Sequence, residues 1–330
     1  ADTQPLHFME PITGPTNDYR SKARLGVKFV EKKGRVLVGF REKMKPYVAE
    51  IDRCYVLRAS VGENLLALAQ VIGELSDPRS IPQIEVAVGD TETALVIRHL
   101  SDMSSADVSQ LSEFGRQLQF SIYLQPGNES TVHKIFPADG VERLSYSLPE
   151  FNLTYAFHPM DFTQVNHQIN QKMIRRAIDL LALKDTDRVF DGFCGIGNFS
   201  LPLARSAGDV MGIELSQTCV QRANENAVLN QIDNVEFSAG DLFAENQDKT
   251  AFEGYNKVLL DPPRSGALEV CKVLATHHAE RVVYVSCNPV TLARDAEILV
   301  AGGYQFESAG VIDMFPHTTH VESIACFTRA

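Results

Sequence analysis

Arg188-Val-Phe-Asp-Gly-Phe-Cys-Gly-Ile-Gly-Asn-Phe-Ser-Leu-Pro-Leu-Ala204 is the stretch whose reading decides the fold. Arg188–Phe193 reads as a strand. Gly195 and Gly197 follow as a turn where backbone can come close to a ligand. A helix then runs to about Ser206. Upstream, Asn166–Leu183 forms an amphipathic helix with Ile169, Met173, Ala177, Ile178 and Leu181 on one stripe. Downstream, strands and helices alternate: strand Asp209–Glu214, helix 216–229, strands 234–238 and Lys257–Asp261, helix 266–278, strand Arg281–Ser286 and helix 290–302. This alternation predicts a doubly wound α/β, Rossmann-like sheet over 160–330. Two last strands, 305–313 and 321–328, lie too close for a helical crossover and should pair antiparallel.

Residues 1–159 read as a smaller α+β domain. In Tyr19–Phe29 the odd positions Tyr19, Ala23, Leu25, Val27 and Phe29 are apolar, and Arg20, Lys22, Arg24 and Lys28 occupy even ones. Period two predicts a strand with one core face and one cationic face. After the turn Glu31–Gly34, Val36, Val38 and Phe40 form a return strand. Helices are expected over 61–75 and Ser104–Phe120, the latter capped by Ser105 or Asp107. Strands are expected near 84–89, 93–99, 121–125 and 143–156.

Composition narrows the class. The 330 residues are 44% hydrophobic and 22% charged, ordinary globular usage that excludes disordered and collagen-like chains. No stretch reaches the ~18–20 apolar residues of a membrane span. The first ten residues show neither a basic n-region nor an apolar h-region, so no signal peptide is expected. The net charge of −11 argues against non-specific nucleic-acid binding. Residues 20–45 run against that average, with ten basic residues to two acidic ones. Six cysteines, none in a CxxC pair, suit a reducing cytoplasm.

Four motifs carry chemistry. The first is the glycine turn, whose geometry is shared by dinucleotide and S-adenosylmethionine domains. Ser200 stands where the third glycine of a dinucleotide fingerprint would fall. Glu214, ending the next strand, can accept hydrogen bonds from ribose hydroxyls. The second is Leu260-Asp-Pro-Pro-Arg-Ser-Gly266, which stops a strand at the carboxyl edge and leaves Asp261 to orient a base or cofactor. The third is Val285-Ser-Cys-Asn-Pro289, with Cys287 between a strand end and a helix start, a place that favours a thiolate. Cys194 is the rival nucleophile. The fourth is His317-Thr-Thr-His-Val-Glu-Ser323, where Glu322 enters the last strand as a candidate base.

Together, DGFCGIGNFSLPLA, LLDPPRSGA, VYVSCNPVTLARD and DMFPHTTHVES resemble the uracil-C5 RNA methyltransferase family. DFTQVNHQINQKM (161–173) and YRSKARLGVKF with GFREK resemble its branch acting on 23S rRNA. The resemblance implies Cys287 as nucleophile, Glu322 as base, and S-adenosylmethionine contacts at Gln164, Phe193, Asn198, Glu214, Asp241 and Asp261. It implies RNA as partner. The basic face of Arg20, Lys22, Arg24 and Lys28 is expected to hold phosphates, and a cytoplasmic monomer is expected. Family members of this branch carry an N-terminal TRAM domain and a [4Fe-4S] cluster on four cysteines. Only the fourth has a counterpart, Cys54, so no cluster is expected in this chain, which reads as a trimmed or short form. Three rival readings are a tRNA T-loop uridine methyltransferase, a Rossmann-type oxidoreductase and a non-catalytic RNA-binding remnant.

Overall fold

The computed structural model describes residues 3–139, 142–245, 252–277 and 279–329. Contacts gather the chain into two units. One comprises 15–146 and 156–167, the other 1–14, 147–155 and 168–330. The linear division at 159/160 differs from this grouping at 1–14 and 147–155, which join the C-terminal unit, and at 160–167, which do not. At the N-terminus β1 (His7–Phe8) pairs in parallel with a C-terminal strand. Two residues are too few to show a period, so β1 had no sequence signal.

The 15–146/156–167 unit holds a six-stranded sheet of β2 (Lys22–Val30), β3 (Arg35–Gly39), β4 (Gln83–Val88), β5 (Thr93–Arg98), β6 (Phe120–Gln125) and β7 (His133–Phe136). Its order is β3-β2-β4-β5-β6-β7. Leu25, Ile84, Val86, Leu95, Ile97 and Ile122 pack its core with Leu65, Leu68 and Ile72. The helix expected over 61–75 is two pieces, α1 (Ala59–Gly62) and α2 (Leu65–Gly73). Gly62 sits where a Cβ would lie 2.3 Å from the Cys54 carbonyl oxygen, so the chain passes too close for a side chain. Helix α3 (Ser105–Leu118) is capped by Ser104, not Ser105 or Asp107. The Ser104 hydroxyl accepts from the Asp107 amide, and the Asp107 carboxylate accepts from the Ser104 amide. The 143–156 segment is a hairpin of β8 (Leu144–Leu148) and β9 (Leu153–Phe157), turned at Pro149–Phe151.

The second unit carries α4 (His167–Leu181), β10 (Arg188–Gly192), α5 (Ser200–Ala204), β11 (Asp209–Glu214), α6 (Gln217–Leu229), β12 (Val235–Ala239) and β13 (Lys257–Leu260). It continues with α7 (Leu268–Leu274), β14 (Arg281–Ser286), α8 (Pro289–Ala301), β15 (Gln305–Ile312) and β16 (Glu322–Thr328). The sheet order is β1-β15-β16-β14-β13-β10-β11-β12. All neighbours are parallel except β16, which is antiparallel to β14 and β15 as expected. Val258, Leu259 and Leu260 of β13 and Val282, Val283 and Tyr284 of β14 are fully buried, as strands covered on both faces require. Chain order reverses between β10 and β13, and ligands of open α/β sheets bind at the carboxyl edge of such a switch point. Helix α7 is shorter than the 266–278 expected, and residue 278 lies outside the described residues. Gly266 has φ +79° and the Ala267 amide donates to Tyr284 and Asp295, so the chain cannot yet be helical there.

Candidate active site

The glycine turn leaves β10 through three left-handed residues, Phe193, Gly195 and Gly197. The Phe193 and Cys194 amides both donate to the Ile213 carbonyl of β11. A Cβ on Gly195 would meet nothing within 4 Å, so open space adjoins the turn. Beneath it the loop is pinned. Tyr155 donates its hydroxyl to the Gly197 carbonyl (3.2 Å), and Asn226 donates to the Ile196 carbonyl (3.3 Å). Asn198 and Asn170 exchange amide hydrogen bonds of 2.9 Å in both directions. Glu214 accepts from the Gly195 amide (3.2 Å) and the Ser216 amide (3.0 Å). Asp241 accepts from the Phe243 amide and closes the turn after β12.

Carboxylates dominate this edge. Asp191 is fully buried; its Oδ2 accepts from Ser200, and its Oδ1 has no partner. Burial, with the charges of Asp261 and Glu214 behind it, outweighs the Ser200 bond and pushes Asp191 up to about 8. Glu322 is buried with Oε2 unpartnered, and burial followed by the Asp261 charge pushes it up to about 8. Cys287 is half-buried. Burial, then Glu322, then Asp261 raise its thiol above the ordinary value, with Arg264 pulling the other way. The thiolate expected from the strand-end, helix-start position is therefore not favoured by the protein alone, because two carboxylates and desolvation outweigh it.

This cradle suits a cation-bearing cofactor such as S-adenosylmethionine. The orphaned Asp191 oxygen and the acidic edge complement positive charge, and Gly195 leaves room for a ligand. Leu215 and Phe243, exposed apolar residues beside Glu214 and Asp241, offer flat contact for a base. Both were missed in the sequence; an apolar residue just past each carboxylate was the available signal. Tyr155, Asn170 and Asn226 were also missed, because they act through the backbone of the loop and belong to no motif.

Other expected site residues are placed differently. Gln164 belongs to the 15–146/156–167 unit, where its carbonyl lies 3.5 Å from the Ser21 hydroxyl. Cys194 is buried, and a Cβ on Gly212 would lie 2.9 Å from its sulfur; burial holds its thiol well above the ordinary value. The basic face of β2 is not uniform. Lys22 donates its ammonium to the Pro159 carbonyl, and burial lowers it to about 8 against the pull of Glu85, Asp161 and Glu129. Arg24 pairs with Glu85 at 2.5 Å. Arg20 donates to the Lys22 carbonyl and lies over the Phe40 ring. Lys28 is exposed and makes no ion pair among the described residues. Cys54 is buried in the core of its unit. Among the described residues no group of three or more His, Cys, Asp or Glu is placed to hold a metal.

The strand order, the antiparallel β16 and the pinned glycine turn define the class: a Rossmann-like methyltransferase fold. The sequence pattern described as tRNA (Uracil-5-)-methyltransferase matches residues 86–330, and the chain belongs to that family. It is 50% identical over 327 residues to the 23S rRNA (uracil(1939)-C(5))-methyltransferase RlmD of Alcanivorax borkumensis, covering 99% of this chain and 74% of that protein. The protein of the same name from Hahella chejuensis is 49% identical, with 100% and 75% covered. Among solved structures, the Pyrococcus abyssi tRNA (uracil-54, C5)-methyltransferase in complex with S-adenosyl-L-homocysteine shares the fold. Its TM-score is 0.75 at 23% identity, covering 97% of this chain and 79% of that one.

Proposed function

We propose that this chain methylates C5 of a uridine in 23S rRNA, the one its relatives' names number 1939, using S-adenosylmethionine. The observation that carries the reading is Cys287, just past the carboxyl end of β14, set against buried Glu322, which opens the neighbouring antiparallel strand β16, at the sheet edge that carries the pinned glycine turn. The relatives, matched over nearly the whole chain, support rRNA as the substrate.

Uracil C5 is a poor nucleophile, so the residues must activate it. Cys287 Sγ adds to C6, which makes C5 an enolate carbon able to accept a methyl group. The bound cofactor supplies that methyl as an electrophile. Glu322 then takes the C5 proton, the C5–C6 double bond re-forms, and Cys287 leaves C6 as thiolate. Both faces of the base must be reached, so the uridine leaves its stack. Glu214 would hold the cofactor through ribose hydroxyls, with Phe193, Asn198, Asp241 and Asp261 as further contacts. RNA phosphates lie on the cationic residues of β2, Lys28 foremost because no carboxylate occupies it.

Labelled methyl transfer to 23S rRNA and to tRNA from unmodified cells, followed by nucleoside analysis, tests the reading. 5-Methyluridine in 23S rRNA is expected. Label confined to tRNA, or on any other nucleoside, would overturn it.

A further inference from the structure

Helix α8 carries a carboxylate where its spacing calls for an apolar residue. Leu292, Asp295, Ala296 and Leu299 form its buried face. Asp295 is fully buried. A well-packed hydrophobe at such a place is often as stable as a buried ion or more so, so stability alone does not account for it. Its partners do. Asp295 Oδ2 accepts from the Ala267 amide (2.7 Å) and from the Tyr284 hydroxyl (2.7 Å), and Oδ1 accepts from Arg294 Nε (2.8 Å).

The first of these bonds holds the loop that carries Asp261, and Tyr284, which also donates to Asp295, accepts from the same Ala267 amide. Arg294 also donates to the Ser265 carbonyl (2.9 Å), and Asn288 donates to the Arg264 carbonyl (2.9 Å). Gly266 passes so close that a Cβ there would lie 2.6 Å from Asp295 Oδ2. Three of four successive residues, Arg264, Ser265 and Ala267, are therefore stitched to α8 or its cap. Asn288, which caps α8, directly follows Cys287. The loop and the candidate nucleophile thus form one block.

We propose that Asp295 is a positioning residue for methyl transfer: with Tyr284 and Arg294 it fixes the Asp261 loop against α8, and so fixes Asp261 relative to Cys287. The proposal rests on the reaction described above. Asp261 acts electrostatically on both Cys287 and Glu322, so a displaced loop alters both reacting groups.

The test uses Asp295→Asn and Arg294→Gln in the full chain. Arg294 is partly exposed, so its variant keeps the test alive if Asp295→Asn does not fold. Affinity for S-adenosylmethionine, single-turnover adduct formation with 5-fluorouridine RNA, and the pH midpoint of Cys287 alkylation by iodoacetamide are measured. Cofactor affinity should fall far less than adduct formation, because Asp261 is only one of several cofactor contacts. Adduct formation should fall by about 10²-fold in Asp295→Asn, the scale of an ångström misplacement, and less in Arg294→Gln. The alkylation midpoint should move down, as Asp261 leaves the thiol. Wild-type adduct rates and midpoints in either folded variant, or a rate loss matched by lost cofactor affinity, would overturn the proposal. A wild-type protein that forms no adduct would instead refute the reaction, while the alkylation midpoint still judges the positioning.

Discussion

Cys287 and Glu322 stand one step beyond the last rung of the β14–β16 ladder, where Ser286 lies opposite Ser323. In an antiparallel pair the next rung sets position 287 across from 322, and directly opposed residues project from the same face about 4.5–5.5 Å apart at Cβ. A thiol and a carboxyl 35 residues apart in the chain thus meet through strand register. Proximity has a consequence, since the Glu322 carboxylate disfavours the Cys287 thiolate.

The first prediction concerns pH. With Glu322 near 8 and the Cys287 thiol raised, both are protonated in the free protein below neutrality. Both reacting forms are the ionised ones. The kcat/KM for RNA should therefore rise with pH and level off only above about 8. A profile flat across neutrality would show that Glu322 ionises normally.

Stability should report the same carboxyl with the opposite sign. Its folded value lies above its unfolded one, so the unfolded chain gives up the proton first. Stability is then lost as pH rises from the ordinary carboxylate range toward about 8. Glu322→Gln removes that loss and should stabilise the protein at alkaline pH by roughly 1–3 kcal/mol, the scale of a buried unsatisfied polar group. Thermal melts at acid and alkaline pH would check it; equal gains at both would contradict the assignment.

For the cofactor, Glu214→Ala should weaken S-adenosylmethionine binding by roughly 1.5–3 kcal/mol, as expected of a charge-assisted hydrogen bond. Because Glu214 also holds the Gly195 and Ser216 amides, Glu214→Gln, which can still accept one of them, should lose less. Calorimetry showing unchanged affinity in a folded Glu214→Ala would refute the placement.

On β2 the structure separates cations that sequence spacing made equivalent. Lys28→Ala should flatten the log–log salt dependence of RNA binding by roughly 0.7–0.9, one phosphate's worth. Lys22→Met should leave the slope unchanged, because its ammonium is spent on the Pro159 carbonyl. Equal effects from both would restore a uniform cationic face.

The α/β half was legible because buried parallel strands and amphipathic helices have distinct periods. Strand ends such as Glu214 and Ser286 fall as expected. The four motifs fall at the carboxyl edge because punctuation by glycine and proline marks where strands stop. What was not legible depends on contacts distant in sequence. β1 needs β15 to exist, and Asp295, on the apolar stripe of its helix, has no visible partner in the sequence until the loop above it is known. Lys22 alternates with apolar neighbours as a solvent-facing residue would, yet Pro159 lies over it. The Cys287 environment was misread because its dipole was visible in the sequence while Asp261 and Glu322 became neighbours only through folding.

The central claim is a covalent bond between Cys287 and C6 of uracil. It is tested most directly by incubating 5-fluorouridine 23S rRNA with S-adenosylmethionine and the wild-type, Cys287→Ala, Cys194→Ala and Glu322→Gln proteins. The denaturation-resistant species is then digested and the modified peptide mapped by mass spectrometry. The fluorine cannot leave as a proton, so wild type and Cys194→Ala should be trapped through Cys287, and Cys287→Ala should give no adduct. Glu322→Gln should accumulate an adduct even on ordinary uridine RNA, with turnover lowered by about 10²–10⁴. Attachment at Cys194, or an adduct that persists in Cys287→Ala, would contradict the account.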